Sequence, residues 1–262
     1  ILFFDLDGTL LESASDVIPE SAARILERVR GDYLICIATG RDMDADYSRK
    51  YVAMVNPDAI IHSNGTKVDA GGERLYDHQV DRELLRRLYD YAKSEGFCLG
   101  FSNENGCYYT EPEIKRQSDI TWRGFCDRTF LPFEEAFTKD IPVCALSFAG
   151  DIARIKPLVE ERFPEITLFA FNNGVGADVV EKEYSKAEGM KRVCEYYGIP
   201  MECTYAFGDS ANDVPMLRAA AVGIAMGNAD KHAIDAADHV TTDINEDGIK
   251  NAIERYVLCE RN

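Results

Sequence analysis

Three runs with no alternation of polar and apolar residues constrain this chain more than any other feature: 1–4 (ILFF), 33–38 (YLICIA) and 59–62 (AIIH). A strand with one wet face alternates. A strand that is apolar throughout must be covered on both faces, which is the condition of a mostly parallel sheet between helices. The intervening segment 19–30 supplies such a helix, with Ala22, Ile25, Leu26 and Val29 at helical spacing and Pro19 at a first-turn position. The tail repeats the alternation: helix 186–197, strand 204–207, helix 214–221, strand 222–225 and a last short strand near 239–241. This pattern predicts an α/β protein with a doubly wound, mostly parallel, Rossmann-like sheet.

The middle of the chain reads differently. Residues 81–95 predict an amphipathic helix through Leu84, Leu85, Leu88 and Ala92. A hairpin over 97–101 and 107–110 turns at Asn103-Glu104-Asn105-Gly106. Strand 143–148, helix 151–163 and strands 167–171 and 177–181 follow. This mixture is that of an α+β module. The expected organisation is a core of residues 1–78 and 183–262, interrupted by an inserted α+β cap domain at 79–182.

Charge excludes several classes of partner. With 29 Lys plus Arg against 46 Asp plus Glu, the net charge is −17, and there is no basic stripe for a nucleic acid or an anionic membrane surface. No apolar run approaches the roughly 18 residues of a membrane helix, and no signal peptide is visible. The eight cysteines form no C-x-x-C pair, and most fall in apolar runs, as free thiols of a reducing compartment do. A catalytic cysteine has no histidine placed beside it. A cytoplasmic location is therefore expected. With no initiator methionine, a few residues are expected upstream of Ile1.

Four segments carry chemistry, each at the end of a predicted strand or the start of a helix, where doubly wound sheets bind ligands. The first is Asp5-Leu6-Asp7-Gly8-Thr9. Its two carboxylates, two residues apart, share one side of an extended chain. A lone D-x-D is more often a solvated acidic turn, but D-x-D-G-T directly after a buried strand points to a site. The second is Thr39-Gly40-Arg41, where a hydroxyl and a bare amide at a strand end suit an anion, or simply make a strand-to-helix turn. The third is Lys186, in the first turn of a helix opened by the capping pattern Ser185-x-x-Glu188. Alone it is a solvated lysine; at a shared anion site its charge adds to the helix end. The fourth is Gly208-Asp209-Ser210-Ala211-Asn212-Asp213, where Asp209 ends a strand as Asp5 does, while Ser210 or Asp213 is equally a helix cap.

Three or more acids at one sheet edge require a cation. Oxygen ligands select a hard ion, and a phosphate ligand favours Mg²⁺. His62, His78, His232 and His239 have no metal-binding spacing, which disfavours zinc. Asn64-Gly65 follows a core strand and could face the site or form a hairpin turn. Trp122-Arg123 and 103–106 are further candidate substrate contacts, with a surface aromatic and a plain hairpin loop as the simpler readings.

Together these segments resemble the haloacid dehalogenase-like superfamily, in its order and over essentially the whole chain. The insert resembles the cap of the Cof-type sugar-phosphate phosphatases. A second aspartate at position 7 is unlike the dehalogenase branch. The resemblance implies Asp5 as nucleophile and Asp7 as general acid, then base. It implies Mg²⁺ held by Asp5, the Asp7 carbonyl and Asp209. Phosphate would be held by Leu6, Thr39, Gly40, Lys186 and Asn212, with Asp213 supporting Lys186 or a metal-bound water. Asn64 and Gly65 are candidate substrate residues.

The expected partner is a small phosphorylated metabolite, with neither nucleic acid nor membrane; the oligomeric state is not legible. The expected activity is hydrolysis of such metabolites, sugar phosphates above all, through an aspartyl-phosphate. A phosphomutase on the same scaffold and a non-catalytic phosphosugar-binding regulator are the alternatives. Product analysis with a bisphosphate activator separates the first. Binding without turnover over a broad panel would favour the second.

Overall fold

The structure, a computed structural model, describes residues 1–12, 17–124, 126, 128–171 and 174–259, without the side chains of residues 46, 47, 122 and 123. Trp122 and Arg123 therefore lie outside the described side chains. Contacts divide the chain into two compact units, one of residues 1–41, 51–76 and 185–262, the other of residues 42–50 and 77–184.

The first unit contains β1 (Leu2–Phe4), β2 (Ile35–Ala38), β3 (Ala59–His62), β4 (Lys67–Ala70) and most of β5 (Glu73–Asp77). The second contains β6 (Cys98–Asn103), β7 (Gly106–Tyr109), β8 (Phe130–Pro132), β9 (Leu146–Ala149), β10 (Ile166–Ala170) and β11 (Gly176–Glu181). The chain then returns to the first unit with β12 (Tyr205–Gly208), β13 (Val222–Ala225) and β14 (His239–Val240).

The first sheet has the order β14-β13-β12-β1-β2-β3-β4-β5. From β14 to β3 every pairing is parallel, as the unbroken apolar runs predict. All three residues of β1 and all four of β2 are buried. Phe4 and Phe207, in register on β1 and β12, stack at 4.5 Å between ring centroids. Helix Glu20–Val29 buries Ala22, Ile25, Leu26 and Val29, the stripe read from spacing. The core of this unit gathers Phe3, Cys36, Ile61, Met190 and Val193 among others.

One edge of the sheet departs from the sequence reading. β4 and β5 were not anticipated, and β4 runs antiparallel to β3. Lys67-Val68-Asp69-Ala70 is too polar to signal a buried strand; its pairing with β3 makes it one. The turn joining them, Ser63–Gly65, places Asn64 at φ 54° and Gly65 at φ 96°. Thus Asn64-Gly65 does lie in a hairpin connection, one of its two readings.

In the second unit the sheet order is β10-β11-β9-β6-β7-β8, antiparallel except for β7 with β8. Helix Arg82–Glu95 is capped by Asp81, which accepts from the Glu83 and Leu84 amides, and ends at Gly96 in a left-handed conformation. Its Leu84, Leu85 and Leu88 pack with Phe97, Leu99, Phe133, Phe148 and Phe163. Asn103–Gly106 forms the β6–β7 turn. The segment is α+β, as its pattern predicts. Among the described residues no helix is long and apolar enough to cross a membrane.

Candidate active site

The chain winds away from β1 in both directions, to β2 on one side and β12 on the other. Such a switch point opens a crevice at the carboxyl ends of the strands. Asp5 follows β1 and Asp209 follows β12, so the two acids end neighbouring strands; the Asp5 amide continues the ladder to the Phe207 carbonyl at 2.9 Å.

Lys186 opens helix Lys186–Tyr197, with Ser185 as its cap accepting from the Glu188 amide at 3.3 Å. Its side chain is fully buried, and Nζ donates to Asp5 Oδ1 and to Asp213 Oδ1, each at 2.5 Å. Asp213 is engaged on both oxygens: its Oδ2 also accepts from the Asp209 and Ser210 amides at 2.9 and 3.0 Å. Ser210 and Asp213 close a reciprocal capping box, so the two capping candidates act together and Asp213 holds the lysine as well.

Carboxylate oxygens of Asp5, Asp209 and Asp213 lie within 4.8 Å of one another, all buried. One ammonium among three buried acids leaves negative charge in excess. Burial, then the Asp213 charge, push the Asp5 carboxyl up to about 7. Burial and the Asp5 charge hold Asp209 well above the usual carboxylate range. Burial alone would lower the Lys186 pKa, but Asp213 and Asp5 outweigh it and raise it. With Asp213 occupied by the lysine and two amides, Asp5 and Asp209 are the side chains suited to a cation. Their all-oxygen donor set fits a hard divalent ion.

A pH dependence follows. A carboxyl raised on folding binds its proton more tightly in the folded state, so the stability associated with Asp5 is greatest below about pH 4 and is lost as pH rises towards 7. In metal-free protein, Asp5→Asn is therefore expected to gain stability over wild type at pH 7 and to lose that advantage near pH 4. Urea unfolding at both pH values checks this; an advantage that grows towards pH 4 would contradict it.

Around this cluster the loops approach closely. Gly8, at φ 89°, faces Asp209, and a Cβ there would press into its carboxylate. The Asn228 side chain donates to the Gly8 carbonyl at 2.8 Å, and the Thr9 hydroxyl to Asp209 Oδ1 at 3.5 Å. Gly65 faces the Ser185 carbonyl, where a Cβ would clash, so this glycine lets the β3–β4 turn meet the start of the lysine helix. Asn64 Oδ1 accepts from Asn212 Nδ2 at 3.0 Å, linking that turn to the fourth segment. Thr39, buried at the end of β2, accepts the Asn64 amide on its carbonyl and the Arg41 amide on its hydroxyl. Gly40 continues the same turn. The Leu6 carbonyl accepts from the Leu10 and Leu11 amides, folding the segment back on itself.

Asp7 is not part of the acidic cluster. Its carboxylate receives Arg41 Nε and Nη2 at 2.6 and 2.5 Å, a two-pronged pair. Arg41, Thr9 and Asn228 are site neighbours that the sequence reading did not select. Arg41 and Thr9 end the second and first of the four segments, without a role of their own there, whereas nothing in the sequence marks Asn228.

A family model described as haloacid dehalogenase-like hydrolase matches residues 2–253. YkrA of Bacillus subtilis (strain 168) is 29% identical over 99% of this chain and 98% of its own length. The 5-amino-6-(5-phospho-D-ribitylamino)uracil phosphatase YitU of the same organism is 26% identical, over 98% of this chain and 97% of its own. A solved structure of the HAD subclass IIB sugar phosphatase BT4131 superposes with a TM-score of 0.85 at 29% identity, covering 97% of this chain and 98% of that one.

Proposed function

This chain belongs to the haloacid dehalogenase-like hydrolase family and is a phosphatase, and on that premise we propose that it hydrolyses small phosphorylated metabolites, sugar phosphates above all, through an Mg²⁺-assisted aspartyl-phosphate. The observation that carries this reading is the buried Lys186 ammonium between Asp5 and Asp213, beside Asp209. Likeness to a sugar phosphatase and to a phosphatase of a phosphoribityl compound supports the substrate class.

The reaction begins with an Asp5 oxygen attacking phosphorus. The bond from phosphorus to the bridging oxygen breaks, its electron pair stays on that oxygen, and the Asp7 carboxyl delivers the proton. In the second half the Asp7 carboxylate takes a proton from water as the water oxygen attacks phosphorus, returning Asp5 and releasing inorganic phosphate. The obstacle is repulsion: a carboxylate about 4 Å from a phosphate dianion costs roughly 8 kcal/mol at an effective dielectric of about 20. Lys186, already in contact with Asp5, offsets part of it, and the Thr39 hydroxyl, the Asn212 amide and the Leu6 and Gly40 backbone amides orient the phosphoryl oxygens. Asp5, Asp209 and the Asp7 carbonyl would hold Mg²⁺, which would supply the remaining positive charge beside the phosphoryl group. Asp213 fixes the lysine. Asn64 and Gly65 are placed by the same reading near the leaving group. The core of 1–78 and 183–262 carries the chemistry, and the insert of 79–182 selects the substrate.

The test is phosphate release from p-nitrophenyl phosphate and from a panel of hexose, pentose and nucleotide phosphates, with Mg²⁺ and with EDTA. Turnover is expected with Mg²⁺, at least about 100-fold above the EDTA control, and fastest on a sugar phosphate. No turnover, or turnover indifferent to EDTA, would overturn the reading.

A further inference from the structure

Arg41 is held through both its backbone and its side chain. Its amide donates to the Thr39 hydroxyl at 3.1 Å, and its carbonyl accepts from the Ser63 amide at 2.9 Å. Its guanidinium lies over the ring of Tyr51, 4.8 Å from the centroid, and Tyr51 is itself 1% exposed. From that platform Nε and Nη2 grip both oxygens of Asp7. This is the planar edge that would otherwise take a phosphoryl group two-pronged, and Asp7 occupies it. A fork of this kind fixes a carboxyl group in rotation as well as in place, which a lysine, a point charge on a flexible stem, does not. It uses one lone-pair direction on each oxygen and leaves each oxygen another.

We propose that Arg41 is a positioning residue for Asp7: stacked on Tyr51, it holds the Asp7 carboxyl in the orientation that delivers the proton to the leaving oxygen and later takes one from water. This rests on the phosphatase reading above, with Asp7 as the acid and base. The alternatives are that Arg41 binds the phosphoryl group itself, or serves only to hold the loop.

Leaving groups separate these possibilities. p-Nitrophenolate departs without a proton, whereas the alkoxide of a sugar phosphate needs one. A misplaced general acid therefore slows the sugar ester selectively, within the roughly 10²–10⁴-fold that general acid catalysis contributes. For Arg41→Gln, kcat/KM on a sugar phosphate, which reports only the steps up to aspartyl-phosphate formation, is expected to fall at least about tenfold more than kcat/KM on p-nitrophenyl phosphate, since the later hydrolysis is common to both esters. Arg41→Lys, which keeps the charge, is expected to show the same selective loss in weaker form. Added guanidine is expected to restore part of the sugar-phosphate rate in Arg41→Ala. Equal losses on both esters with raised KM would reassign Arg41 to phosphate binding. Equal losses with a lowered melting temperature and no guanidine rescue would leave it a structural role. Either result overturns the proposal while the phosphatase reading stands. Wild-type turnover of neither ester would overturn both.

Discussion

Asp5→Asn is expected to lower kcat/KM for a phosphate monoester by on the order of 10⁴-fold or more, because it replaces the anionic carboxylate that attacks phosphorus with a neutral, weakly nucleophilic amide. The amide has the shape of the carboxylate, so the change is chemical rather than steric. Asp5 is buried, with Lys186 Nζ at 2.5 Å and two further carboxylates in the same cluster. Exchanging it for a neutral group relieves repulsion from Asp209 and Asp213. The variant is accordingly expected to fold at least as firmly as wild type at pH 7 without metal. Steady-state kinetics and thermal unfolding on one preparation check both halves. Residual activity above about one per cent of wild type would remove Asp5 from the role of nucleophile.

Lys186→Met is expected to give the largest loss of stability. The ammonium is fully buried between Asp5 and Asp213. Methionine fills similar space but leaves both acids without their countercharge, and breaking one partner of a buried pair costs about 3–5 kcal/mol. For a protein of this size that corresponds to a fall in melting temperature of roughly 6–20 °C. Mg²⁺ is expected to recover part of the loss, since it neutralises Asp5 and Asp209 independently of the lysine. Differential scanning calorimetry with and without Mg²⁺ measures both. A melting temperature within 2 °C of wild type in metal-free buffer would show that the three acids do not depend on the lysine.

Much of this molecule was legible along the chain because its signals are local. Within the apolar runs, residues 2–4, 35–38 and 59–62 became parallel, largely buried strands, because a strand without a polar face is stable where both faces are covered. The Ser185-x-x-Glu188 pattern placed Lys186 in a first helical turn, and the fourth segment, read as a cap, closed into one. The D-x-D-G-T run ends the central strand, where a reactive acid would be placed.

Other features depended on which strand lies beside which. Asp5 meets Lys186 across 181 positions, and Asn64 meets Asn212 across 148. Lys67–Ala70 became a strand only because β3 offered it an edge. The grip of Arg41 on Asp7 depends on β2 lying next to β1 and on Tyr51 beneath the guanidinium. Periodicity and capping are properties of neighbours in the chain, and they determined the elements and the kinds of acid and base available. The sheet order and the loop approaches at Gly8 and Gly65 bring distant residues within hydrogen-bonding reach. Those contacts are selected by the free energy of the whole packed core, which no short stretch of sequence contains.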